Sequence, residues 1–139
     1  MTPQLEEAIT KCLEIAKSLG VRQKQVERFL TNGYVPFPWQ WKFHAAARQA
    51  DLPNGPVLIG VGGARGPGKS HAVFAQMAID DSQRCPGLKS LFLRKTGKTA
   101  KESFDDLIDK VIRGRMKFEY VNSTLKFENG SKILMGGFR

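Results

Sequence analysis

Eight consecutive residues carry the clearest chemistry in this chain: Gly63-Ala64-Arg65-Gly66-Pro67-Gly68-Lys69-Ser70. They fit G-x-x-x-x-G-K-[ST], the spacing of a phosphate-binding loop. Glycines let the backbone turn tightly enough for successive N–H groups to converge on an anion. A helix opening directly after the loop offers its positive end to the same phosphate. Lys69 is then placed to reach the β- and γ-phosphates of a nucleoside triphosphate such as ATP. The Ser70 hydroxyl is placed to coordinate Mg²⁺.

Such a loop needs a strand before it and a helix after it. Val57-Leu58-Ile59-Gly60-Val61 is a short apolar run behind the Pro53-Asn54-Gly55-Pro56 punctuation, and its composition predicts a buried parallel strand. After Ser70, the apolar residues Val73, Phe74, Met77 and Ala78 recur at helical spacing. Upstream, the pattern predicts helices over 3–18, with Leu5, Ile9, Cys12, Leu13 and Ala16 inward, over 22–30, with Val26, Phe29 and Leu30 inward, and over 39–49. Downstream it predicts a strand over 90–94 and an amphipathic helix over 99–113, capped by Thr96 or Thr99. Three short strands follow over 116–121, 124–128 and 132–136, separated by Asn122-Ser123 and Asn129-Gly130. The βαβα order with a closing meander predicts an α/β domain whose ligand lies at the carboxyl ends of the strands.

The 139 residues suffice for one domain with a core. With 41% hydrophobic and 25% charged residues the composition is that of a globular protein. No apolar run nears the ~20 residues of a membrane span, and Glu6, Glu7 and Lys11 interrupt any leader-like stretch. Two cysteines, Cys12 and Cys85, predict free thiols rather than a disulfide framework. His44 and His71 lack ligand-spaced partners and are assigned no metal or catalytic role. The net charge of +9 favours a polyanionic partner, either nucleotide or nucleic acid.

Four segments in order, Pro36-Phe37-Pro38-Trp39-Gln40, Gly62 to Ser70, Leu93-Arg94-Lys95-Thr96 and Gly130 to Gly137, give the chain over about 36–139 a likeness to a known family. It resembles the N-terminal ATPase part of tailed-phage terminase large subunits, the motors that package DNA. The resemblance implies a P-loop NTPase sheet core of the RecA-like class, here incomplete, preceded by a helical lead-in over 1–35. It implies ATP and Mg²⁺ on Gly63, Ala64, Arg65, Gly66, Pro67, Gly68, Lys69 and Ser70, with Lys69 catalytic. Gln40 falls where an adenine-recognising glutamine is expected, and an amide can both donate to and accept from the adenine edge. Phe37 or Trp39 could pack against the base. Arg65 falls where a guanidinium would stabilise the transition-state charge. Arg94 and Lys95 fall at a strand end that would line the cleft or meet DNA phosphate. The partners implied are double-stranded DNA, a procapsid portal, a small terminase subunit and further copies in a ring, in the host-cell cytoplasm.

The N-terminus adds a weaker pattern. Ile15 to Val21, followed by Val26 and Phe29, resembles a helix-turn-helix, with Arg22, Gln23, Lys24, Gln25 and Arg28 available for DNA. The same residues also fit a two-helix lead-in docked on a core. The chain departs from the terminase pattern in having no apolar run ending in Asp-Glu after Ser70. It is therefore expected to bind nucleotide and to hydrolyse it poorly unaided. Two other readings stay open: a non-catalytic DNA-binding or regulatory module with a nucleotide-sensing loop, and a helicase-type ATPase fragment.

Overall fold

A computed structural model describes residues 2–61, 68–95 and 98–138. They form an α/β structure of helices and one four-stranded mixed sheet. The chain divides into two compact units, 1–72 and 73–139. The division falls within the helix that begins at Lys69, so the helices of 1–35 and the Pro36–Gln49 segment belong to one unit.

In the first unit, α1 (Pro3–Ser18), α2 (Gln23–Thr31) and α3 (Pro38–Gln49) follow the predicted periodicities closely. Gly20 ends α1 in the left-handed region at φ 78°, where a side chain would be strained. Pro38 opens α3 at its first position, where a missing N–H costs nothing. Cys12, Ala16, Val26 and Phe29 face inward as expected, while Leu13 is exposed and Leu30 half-buried. The core is aromatic. Phe29 meets Tyr34, Trp41 and His44 with ring centroids 5.2, 5.8 and 4.4 Å away. Two polar contacts run through it. Tyr34 Oη lies 2.8 Å from His44 Nε2, and Trp41 Nε1 donates to Cys12 Sγ at 2.8 Å. Burial pushes the Cys12 thiol up, against the opposing Trp41 hydrogen bond. Burial, with Cys12 as a lesser cause, raises the Tyr34 phenol too.

The expected strand over 57–61 is not formed. Val57 and Leu58 are fully exposed. An apolar run becomes a strand only where a neighbouring backbone supplies N–H and C=O partners, and none of the four described strands pairs with it.

In the second unit, β1 (Lys89–Lys95) leads through α6 (Lys98–Val111) to the hairpin β2 (Phe118–Val121) and β3 (Thr124–Phe127), then β4 (Lys132–Phe138). The strand order is β1-β4-β3-β2, with β1 parallel to β4 and the other pairs antiparallel. Both predicted turns hold. Asn122 and Ser123 sit at φ 52° and 59°, the double positive φ of a two-residue hairpin turn matched to strand twist. Gly130 takes φ 87° in the next loop. Thr99 lies inside α6 instead of capping it, and Thr96 lies outside the described residues.

One sheet face carries Phe92, Leu125, Phe127, Ile133 and Met135, all buried. Helices cover it: Phe74 and Phe104 lie edge-on to Phe92 at 5.9 and 5.7 Å. All five residues predicted to face inward from the amphipathic helix, Phe104, Leu107, Ile108, Val111 and Ile112, are buried.

The helix after the loop departs from the simple pattern. Its α-helical part, α4 (Lys69–Ala75), passes into a π-helical segment, Gln76–Asp81, and then α5 (Ser82–Arg84). The wider turn brings polar residues inward. Gln76 Nε2 donates to Asp80 Oδ2 at 2.9 Å and to Asp81 Oδ1 at 3.0 Å, and Arg84 pairs with both carboxylates. Burial pushes the Asp81 carboxyl above its usual value, with Arg84 and Gln76 pulling the other way. Asn129 Nδ2 and Ser131 Oγ donate to the Ser82 carbonyl at 2.7 and 2.8 Å, tying the β3–β4 loop to this helix end.

Phe92 is the hinge of the second core. Phe92→Ala is expected to lower unfolding free energy by about 3–5 kcal/mol, read as a shifted urea midpoint at unchanged slope. A loss under ~1 kcal/mol would mean that Phe74 and Phe104 close over the gap.

Candidate functional site

Gly68, Lys69 and Ser70 are the part of the phosphate-loop motif that the structure describes. Gly63, Ala64, Arg65, Gly66 and Pro67 lie outside the described residues. Lys69 and Ser70 open α4 and are half-buried. The carbonyl of Gly68 accepts the Ala72 N–H at 2.9 Å, closing the first turn.

That carbonyl also accepts a second bond, from Gln40 Nε2 at 3.1 Å. The other end of the same amide, Gln40 Oε1, accepts the Phe37 N–H at 2.8 Å. Gln40 is the third residue of α3, and a glutamine there commonly reaches back to the N–H before the helix. Its side chain thus clasps two helix starts, α3 through Phe37 and α4 through Gly68. An amide has two N–H donors and two carbonyl lone pairs. The clasp uses one of each, leaving one of each on a buried side chain.

Trp39 lies beside the Gln40 amide at Gly68. Gly68 adopts φ +125°, a region that side chains rarely enter. A Cβ added there would lie 3.2 Å from Trp39 Cζ2 and 3.3 Å from Gln40 Nε2. The glycine is required both for its backbone angle and for space. Trp39 is not a core residue: it is 40% exposed, and Phe37 is 66% exposed. Two open aromatic rings therefore stand at the start of α3, one of them against the last glycine of the loop motif.

His71, one residue past Ser70, stacks on Tyr34 with ring centroids 5.3 Å apart. Tyr34 in turn meets His44. Sequence reasoning assigned these histidines no role, and the structure gives them a packing one: they connect the start of α4 to the aromatic core. The signal missed was the density of rings over 29–44, which marks a core rather than a site.

The helix-turn-helix candidates separate. Gln25 is buried and donates to the His44 carbonyl at 3.2 Å, so it is a packing residue. Arg22, Gln23 and Lys24 are exposed and Arg28 is half-buried. Arg94 is half-buried near the end of β1, in the second unit. Among the described residues no group of three or more His, Cys, Asp or Glu is arranged to hold a metal. No helix among them is long and apolar enough to cross a membrane. Both cysteines are free thiols.

Comparison with known proteins yields no relative: no family model matches the chain, and neither a curated protein nor a solved structure matches it.

Gly68→Ala should force the backbone, Trp39 or Gln40 to move, lowering stability by about 1–3 kcal/mol. Urea unfolding measures this, and Trp emission reports the displaced ring. An unchanged midpoint would show that the +125° backbone relaxes freely.

Proposed function

We propose that the chain is the ATP-binding portion of a P-loop ATPase of the terminase large-subunit type, a motor that moves double-stranded DNA. One observation carries the reading. The Gly68-Lys69-Ser70 end of a G-x-x-x-x-G-K-S sequence opens a helix, and the glutamine and tryptophan of the upstream Pro-Trp-Gln element pack on that same glycine. Two sequence elements 28 residues apart, each expected to touch nucleotide, meet at one backbone position.

In this reading the loop amides of 63–68 and Lys69 hold the phosphates, and Ser70 supplies one oxygen to Mg²⁺. Phosphate and water oxygens complete its shell, as is usual for this ion. A single hydroxyl at the start of a helix fits that sparse protein contribution. Phe37 and Trp39 offer apolar rings to the base. Gln40 addresses the adenine edge with its remaining N–H and lone pair while it holds the loop in place. Arg65 stabilises charge that develops on the transferred phosphoryl group. The +9 charge suits a chain that works against DNA. A portal, a small subunit and a ring of copies would belong to the same motor, and the cytoplasm is where it would act.

A calorimetric titration with Mg²⁺ and a slowly hydrolysed ATP analogue tests the assignment. Saturable binding is expected in the parent chain, and at least ~100-fold weaker binding in Lys69→Ala. Equal affinity in the two would refute the phosphate site.

Gln40→Ala separates two roles in one side chain. A base reader predicts a fall of about tenfold in preference for ATP over GTP. A clasp alone predicts that both nucleotides weaken together.

A further inference from the structure

Among the described residues, the face of the sheet opposite Phe92 carries exposed apolar side chains. Register fixes which residues share it. Leu91 pairs with Leu134, Leu134 with Thr124, and Thr124 with Val121. Register partners point the same way, so these four form one row across β1-β4-β3-β2. Leu91, Leu134 and Val121 are 59%, 44% and 50% exposed, and Leu93 is 49% exposed beside Gly136. The adjoining row is Lys89, Lys132, Lys126 and Glu119. Three lysines stand side by side on neighbouring strands, with the one acid at the far end.

An edge-to-edge apolar row of this kind marks an interaction surface on a folded protein. A parallel pair such as β1 and β4 is ordinarily covered on both faces. The charge row selects the occupant. A second copy packed face to face would add its own three lysines to this face, concentrating like charge. A nucleic acid would leave the apolar row unmatched, since neither row contains an aromatic ring for base stacking. An acidic-flanked helix satisfies both rows. Three strand spacings of ~4.8 Å make the row about 14 Å long. That matches roughly 10 helical residues at 1.5 Å each, enough for apolar positions at i, i+3, i+7 and i+10.

We propose that this face docks an amphipathic helix of a protein partner, its apolar stripe on the Leu91–Leu134–Val121 row and its carboxylates against Lys89, Lys132 and Lys126.

The test uses the full chain and a fluorescein-labelled 14-residue helical peptide with leucines at those spacings and glutamates along one flank. Fluorescence anisotropy should show saturable binding, with a lysine-flanked peptide about tenfold weaker. Leu134→Glu and, independently, Leu91→Glu should each weaken binding about tenfold with unchanged far-UV circular dichroism. Lys126→Glu with Lys132→Glu should reverse the peptide preference. The proposal falls if the acidic peptide fails to saturate, if both peptides bind equally, or if both leucine variants bind like the parent. It also falls if sedimentation shows a dimer that Leu134→Glu dissociates, which would make a second copy the occupant.

Discussion

The carbonyl of Gly68 is the point on which the candidate site depends. It caps α4 through the Ala72 N–H and takes a second bond from Gln40. Both lone pairs of one oxygen are spent on holding a helix start in place. The backbone angle that aims this oxygen, φ +125°, is open to glycine and costly to anything else. Trp39 fills the space a side chain would take. Lys69 and Ser70 follow directly, at the start of the helix that this glycine and the Gln40 amide help to hold.

Gln40 illustrates how one side chain serves fold and site together. As the third residue of α3 it satisfies the Phe37 N–H, an orphan donor that every helix start produces. Its other end reaches the loop motif. Replacing it leaves one unsatisfied donor at α3 and removes one of two bonds at Gly68. Phe37 and Trp39 stay partly exposed beside this amide, which makes the hydrogen bonds to both helix starts. Exposed aromatic rings cost hydration free energy. Here they are held beside a rigid backbone position, where an apolar surface has something to bind.

Periodicity read from the sequence located α1, α2, α3, α6, β1 and the closing hairpins to within a few residues. Apolar spacing and turn chemistry act locally there: Phe104, Leu107, Ile108, Val111 and Ile112 can face one way only on a helix, and Asn122-Ser123 tolerates positive φ. Three features were not legible. The run over 57–61 has strand composition, but composition cannot say whether a neighbouring backbone is present to pair with it. The π-helical turn over 76–81 depends on Asp80, Asp81, Gln76 and Arg84 finding one another, a tertiary event with no local signature. Gln25 reads as a surface residue of α2 and is buried, because its partner is a carbonyl 19 residues away. For the site, the glycine–lysine–serine motif and Gln40 were both visible. That they touch was not, since the 28 residues between them carry no mark of the contact.

Phosphate binding and phosphate cleavage draw on different groups, and under the proposed function the described residues would divide accordingly. Grip requires converging donors, a cation and a hydroxyl, and under the proposed function Lys69 and Ser70 would supply the last two at a helix start. Cleavage requires a carboxylate or amide aimed at a water. The acids of the helix beyond the loop, buried Asp80 and half-buried Asp81, are bonded to Gln76 and Arg84. The lone pairs of these carboxylates are already engaged by a guanidinium and an amide. Their geometry suits a structural brace: the wider π turn leaves room for the Gln76 amide between the two carboxylates, and Asn129 and Ser131 secure the end of the same helix at Ser82. The helix end at Ser82 is thus secured to the sheet through the β3–β4 loop.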